Sequence, residues 1–183
     1  MLRIVVIQAG PTPWDVEDRI VGDHPLPLTD LACSSIEGIA RNLPDKPSAI
    51  YRARKNEASE QAAKIVAAAT KGKLFDNENL DEMNLGLWQG LTRDELRFRH
   101  PKVFPLWEEN PLSVNPPDGE MLSSTIGRLQ GALGRALRRR KAGTVVFVLR
   151  PFVMQIALGL LKHEDPTTIS RHLQKTSPME TIE

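Results

Sequence analysis

A chain of 183 residues with 24 Lys and Arg, 23 Asp and Glu, 40% hydrophobic residues and one cysteine folds to about 9,000 Å² of surface, burying about 70% of what its unfolded form exposes. One cysteine cannot form an internal disulfide and no Cys/His cluster has zinc-finger spacing, which excludes a secreted disulfide scaffold and a structural zinc site and fits a reducing, cytoplasmic setting. A net charge of +1 supplies no global field to hold nucleic acid or an anionic membrane.

The apolar run at the N-terminus is too short for a signal peptide, and no segment reaches the ~18–20 apolar residues of a membrane span, so a soluble protein is expected. Residues 3–8 form a continuous β-branched run closed by Ala9-Gly10-Pro11, which predicts a buried strand that delivers its carboxyl end to a loop. After a proline-rich connection, Thr29 or Asp30 opens a helix whose shared face takes Leu31, Ser34 or Ser35, Ile36, Ile39, Ala40 and Leu43, and Pro44 ends it. Residues 48–51 predict a short strand, 57–69 an alanine-rich helix and 73–75 a further strand. Residues 76–119 form an excursion, polar and glycine-punctuated at first, with a capping box from Thr92 to Glu95 and a proline-rich loop over 110–119. A long helix over 120–140 carries Leu122, Ile126, Leu129, Leu133 and Leu137 on one face and is terminated by Gly143. An all-apolar strand over 144–149 and an apolar helix over 152–161 follow, and the tail offers no clear core element. Strands alternating with helices predict a three-layer α/β/α sandwich with a mainly parallel central sheet. Ligands bind such sheets at the carboxyl ends of strands, which draws attention to Gln8-Ala9-Gly10 and Arg150-Pro151.

Those residues carry a family likeness. The segment Gln8-Ala9-Gly10-Pro11-Thr12-Pro13-Trp14-Asp15 resembles the Arg-His-Gly-x-Thr-x-Trp-Asn signature of the histidine phosphatase superfamily, the phosphoglycerate-mutase-like proteins. Further segments resemble the family's motifs in the same order: Arg19 to Thr29, Leu80 to Gly90, Trp107, and Pro117-Asp118-Gly119-Glu120 before a helix bearing Arg128. The resemblance spans nearly the whole chain and implies one histidine-phosphatase-like domain over 1–183, with the excursion 76–119 over its pocket.

The resemblance also shows what this chain lacks. The family's histidine at the end of the first strand forms phosphohistidine; the matching residue is Ala9, whose methyl group supports no covalent intermediate. The family's phosphate-clamping arginine is matched by Gln8, and its second histidine by Arg150, which binds an oxyanion but does not shuttle protons near neutral pH. Glu57 stands where a second clamp arginine is expected, with Arg52 and Arg54 within a slip of a few residues. The pocket so drawn loses about two to three units of positive charge, each worth about 4 kcal/mol against a phosphate charge before desolvation. Glu82, matching the family's proton donor, remains beside Gly10, Thr12 and Arg19, as a relic or an alternative acid.

The expected protein is therefore a pseudo-phosphatase with a binding or regulatory role. The alternative is a hydrolase or mutase-like enzyme acting on an anionic small molecule, without a covalent intermediate, through Glu82 and Arg150. Neither reading implies a cofactor or metal; the partner is a small anion or a protein, self-association is left open, and no membrane is involved. Nucleic acid has one weak route, the run Arg135, Arg138, Arg139, Arg140 and Lys141, whose plainer reading is cations at the negative end of a helix dipole. None of His24, His100, His163 and His172 aligns with a catalytic position, and Cys33 lies in a helical pattern without an activating histidine.

Overall fold

The computed structural model describes residues 1–138, 140–164 and 177–183; Arg139 and His172 lie outside the described residues. In chain order the elements are β1 (Leu2–Gln8), α1 (Pro13–Val16), α2 (Asp30–Arg41), β2 (Pro47–Ala53), α3 (Glu57–Thr70), β3 (Leu74–Asn77), α4 (Arg93–Arg99), α5 (Val103–Glu109), α6 (Leu122–Arg138), β4 (Gly143–Leu149), α7 (Pro151–Lys162) and β5 (Met179–Ile182). Two 3₁₀ turns, Glu78–Leu80 and Gly86–Trp88, lie between β3 and α4.

The strands form one sheet in the order β3-β2-β4-β1-β5, parallel except for β5, which pairs antiparallel with β1. Strand side chains alternate between two buried faces, as the unbroken apolar runs require. Val6, Tyr51 and Phe147 join the core with α6, α7 and the aromatic residues of the excursion, while Val5, Ile50 and Val146 join the core with α2 and α3. The central pair β1 and β4 runs in register from Leu2 against Gly143 to Gln8 against Leu149. The chain leaving β1 turns to the α2 side and the chain leaving β4 turns to the α7 side, which opens a crevice at the carboxyl ends of these two strands.

Four local expectations are corrected. Helix α2 buries Ala32, Ile36 and Ala40 rather than a face starting at Leu31, which is 84% exposed. The rotation follows from Gly10: a Cβ there would lie 2.8 Å from Ala32 Cβ, so the helix docks on the exit of β1 through two small residues. Helix α6 spans Leu122–Arg138 and starts after Glu120, whose carboxylate is paired with Arg128; Ile126 and Leu137 are only partly buried. Gly143 does not terminate that helix but begins β4, with a φ of +89° that a side chain would rarely adopt. The tail does supply an element: β5 sets Met179 against Ile7 and Ile182 against Ile4. Four residues at a sheet edge leave too short a pattern to read.

At the far end of α6, the Arg140 guanidinium lies 5.6 Å from the Phe75 ring centre, and Arg135 and Arg138 occupy the helix's last turn. Among the described residues no helix is long and apolar enough to cross a membrane.

Candidate functional site

The crevice beyond β1 and β4 holds a cavity of about 260 Å³ whose lining includes Gln8, Asp15, Arg19, Glu82, Arg93 and Arg150 with the apolar Ile20, Val21, Leu85, Trp107 and Phe152. Four residues singled out in the sequence meet here: Gln8, Arg19, Glu82 and Arg150.

Arg150 closes the floor. It is the N-cap residue of α7 and is 2% exposed, yet its side chain caps nothing. Instead it runs across to the segment leaving β1, where Nη1 donates to the carbonyls of Ala9 at 3.3 Å and Gly10 at 2.8 Å. Nη2 donates to both carboxylate oxygens of Asp15, at 3.0 and 2.8 Å. Asp15 is fixed in turn by Thr12, whose backbone N–H and hydroxyl donate to Oδ2 at 2.7 and 2.6 Å in the capping box of α1. Thr12 is thus a buried helix cap rather than part of the lining. Ala9 contributes its carbonyl, while its methyl group is wholly buried in the core that contains Leu28, Ala32 and Ile36.

Glu82 lies opposite. Pro151, at the first position of α7, has no N–H, so the free donors of that helix end begin at Phe152 and Val153. Glu82 takes both, with Oε2 accepting from Phe152 N at 3.0 Å and Oε1 from Val153 N at 3.1 Å, while Met83 N donates to Oε1 at 2.8 Å. The carboxyl group therefore caps a helix from a distant segment, on the end where the dipole favours negative charge. Burial pushes its pKa up to about 7, against the opposing pull of the Met83 N–H, the Arg150 charge and the two helix N–H groups. The neighbouring Asp81, raised by burial, accepts from Arg54 N at 2.7 Å and Lys55 N at 3.0 Å. Arg128 ties down the segment carrying both, donating to the carbonyls of Asn79, Asp81 and Glu82 while paired with Glu120.

The remaining guanidinium groups of the lining are also paired. Arg19 meets Glu17 at 2.7 Å and donates to the Gly90 carbonyl at 2.8 Å; Arg93 meets Asp18 at 3.3 Å and Glu108 at 3.1 Å. Glu57 is not brought to this cavity: it begins α3 and lines a separate depression with Lys55, Glu60, Gln61 and Lys64. Arg52 is committed elsewhere, to Asp76 at 2.9 Å and Glu60 at 3.6 Å. Of the described histidines, His24 stacks on Trp14, His100 ends α4 and His163 ends α7, and none lines the cavity.

Sequence reasoning missed Asp15 and Arg93. For Asp15 a signal existed, since the signature resembled by residues 8–15 ends in Asn and this segment ends in Asp.

The model of the histidine phosphatase superfamily, branch 1, matches residues 4–180. The chain belongs to this superfamily. It is 30% identical over 149 residues to phosphoglycerate mutase-like protein 4 of Arabidopsis thaliana, a match covering 80% of this chain and 65% of that protein. It is 22% identical over 148 residues to phosphoserine phosphatase 1 of Hydrogenobacter thermophilus, covering 81% and 70%. The match thus spans about two thirds of the length of these relatives. Among solved structures, YhfR of Bacillus stearothermophilus superposes with a TM-score of 0.86 at 25% identity, covering all of this chain and 91% of that one. A mycobacterial glucosyl-3-phosphoglycerate phosphatase superposes with a TM-score of 0.79 at 19% identity, covering 92% and 83%, and shares the fold.

Proposed function

We propose that this chain is a non-catalytic superfamily member, a binding or regulatory protein whose crevice no longer performs phosphoryl transfer. The observation that carries the reading is the Arg150–Asp15 pair. Residue 9 offers no nucleophile, and both terminal nitrogens of the guanidinium at residue 150 are engaged by an internal carboxylate and two carbonyls, which leaves only a buried Nε without a partner. Two departures from the family pattern, Asp at 15 and Arg at 150, meet as opposite charges. A site merely drifting has no reason to place them together, so the pair is a built feature.

The alternative chemistry, through Glu82 and Arg150 without a covalent intermediate, would require each group to abandon its partners. Glu82 would give up three backbone N–H bonds and α7 its cap. An arginine held by a bidentate carboxylate offers little to a second anion.

The test is turnover of p-nitrophenyl phosphate and phosphoserine, the second drawn from the name of the Hydrogenobacter thermophilus relative, with and without divalent metal. We expect no phosphate release above the protein-free control and no acid-labile phosphoenzyme. Turnover that is abolished by Glu82→Gln would overturn the proposal.

A further inference from the structure

Resting on the non-catalytic reading, the electrostatics of the cavity point to the kind of ligand it would take. Three guanidinium groups line it, and five carboxylates face them: Asp15 on Arg150, Glu17 and Glu95 on Arg19, Asp18 and Glu108 on Arg93. Arg97 and Arg99 share Glu108 and Glu95, but Asp94 also pairs with Arg97, so the carboxylates of this network still outnumber its guanidinium groups. An entering anion meets no net positive field, and to reach Arg150 it must displace Asp15 from a bidentate contact.

The Gln8 side chain stands apart. Gln8 borders this cavity and a smaller depression beside α2; strand alternation puts its side chain on the sheet face of Val6, the face of Trp107 and Phe152, and its carboxamide, with a donor and an acceptor side by side, has no partner among the described residues. A carboxamide in this state recognises a neighbouring donor and acceptor on one planar edge, the geometry by which glutamine reads an adenine edge. Between the paired charges the lining is apolar: Ile20, Val21, Leu85 and Phe152, the last stacked on Trp107 at 5.9 Å. A cavity of ~150 Å³ holds a benzene ring, so 260 Å³ holds one ring with a polar group attached.

We infer that this cavity binds an uncharged planar molecule with a donor–acceptor edge, of the primary carboxamide or nucleobase kind, through Gln8, and discriminates against phosphate esters. Benzamide, benzoate and phenyl phosphate are matched probes, differing in the charge and geometry of one substituent. Titrated into the nitrogen-15-labelled protein, benzamide should move the Gln8 side-chain amide and Trp107 indole signals to saturation, with an apparent Kd at least tenfold below that of either anion. Gln8→Leu should weaken benzamide at least fivefold. Asp15→Asn, checked for an intact fold by circular dichroism, should strengthen phenyl phosphate at least tenfold by freeing Arg150. Anions binding as tightly as benzamide, benzamide moving neither signal, benzamide binding unchanged in Gln8→Leu, or phenyl phosphate binding unchanged in a folded Asp15→Asn would each overturn the inference. Phosphorus NMR of the phenyl phosphate sample separates the two levels: release of phosphate overturns the non-catalytic reading, whereas anion binding without release overturns only the choice of ligand.

Discussion

Arg150 and Asp15 are 135 residues apart and come together only because β1 and β4 are neighbours in the sheet. Arg150 is 2% exposed and the Asp15 side chain 28%, so the pair is sheltered enough that removing one partner strands the other. Arg150→Met should cost about 3 kcal/mol in urea denaturation, in the lower part of the range for breaking a buried pair. In a double-mutant cycle with Asp15→Asn the coupling should be about 1–3 kcal/mol, the range for groups in direct contact. Coupling within about 0.5 kcal/mol of zero would mean that the two side chains are merely adjacent. That neither the end of β1 nor the turn from β4 into α7 holds a histidine is legible in the sequence directly, since an absence needs no partner to be read. The Arg150–Asp15 pair was not, because its two halves lie in separate motifs and only the fold gives them a common address. Glu57 shows the converse: a register carried along the sequence put it in the pocket, and the turn into α3 carries it to another surface.

Helix α7 depends on a side chain that is not its own. Its sequence begins Arg150-Pro151, which supplies the proline typical of a first turn but no capping oxygen, and Glu82 fills that role from 70 residues away. The pKa of Glu82 fixes the sign of a pH dependence. Raised to about 7 from its ordinary 4.5, the group binds more protons in the folded than in the unfolded state between those values. Its contribution is therefore fully present below pH 4.5 and is lost as pH rises through 7, up to about 3 kcal/mol. Denaturant unfolding at pH 5 and pH 8 should show the protein less stable at pH 8, and Glu82→Gln should remove most of that difference. An unchanged difference in the variant would assign the slope to other groups. Helices with a long periodic pattern were readable to within a few residues, and so was the local capping box at Thr92, whereas the box at Thr12 and the four-residue helix α1 it opens were not read. What sequence periodicity could not supply was the rotation of α2, which is set by the contact between Gly10 and Ala32 rather than by which residues are largest.

At the scale of the whole molecule, the sheet has, among the described residues, one asymmetric feature, the antiparallel strand β5 beside β1. Without it, β1 would lie at an edge with its backbone donors and acceptors open to another chain, and its apolar Val5, Val6 and Ile7 beside them. β5 covers residues 4–7 of β1 and is held from both ends, Lys162 meeting Glu180 at 2.7 Å and Arg3 meeting Glu183 at 3.0 Å. These ion pairs are surface contacts of small individual worth. The larger contribution comes from the ladder and from Ile182, packed on the α6 and α7 side, with Met179 on the α2 and α3 side. The strand also bears on the cavity, because the carbonyl of Pro178 accepts the Gln8 backbone N–H at 2.9 Å and so steadies a residue of its lining. Deleting residues 177–183 should lower the melting temperature by roughly 5–10 °C, at about 2–4 °C per kcal/mol for a chain of this size. It should also produce concentration-dependent association through the uncovered edge of β1, read by light scattering after size exclusion. A truncated protein that stays monodisperse and melts where the full chain does would show that β5 adds nothing to the sheet it closes.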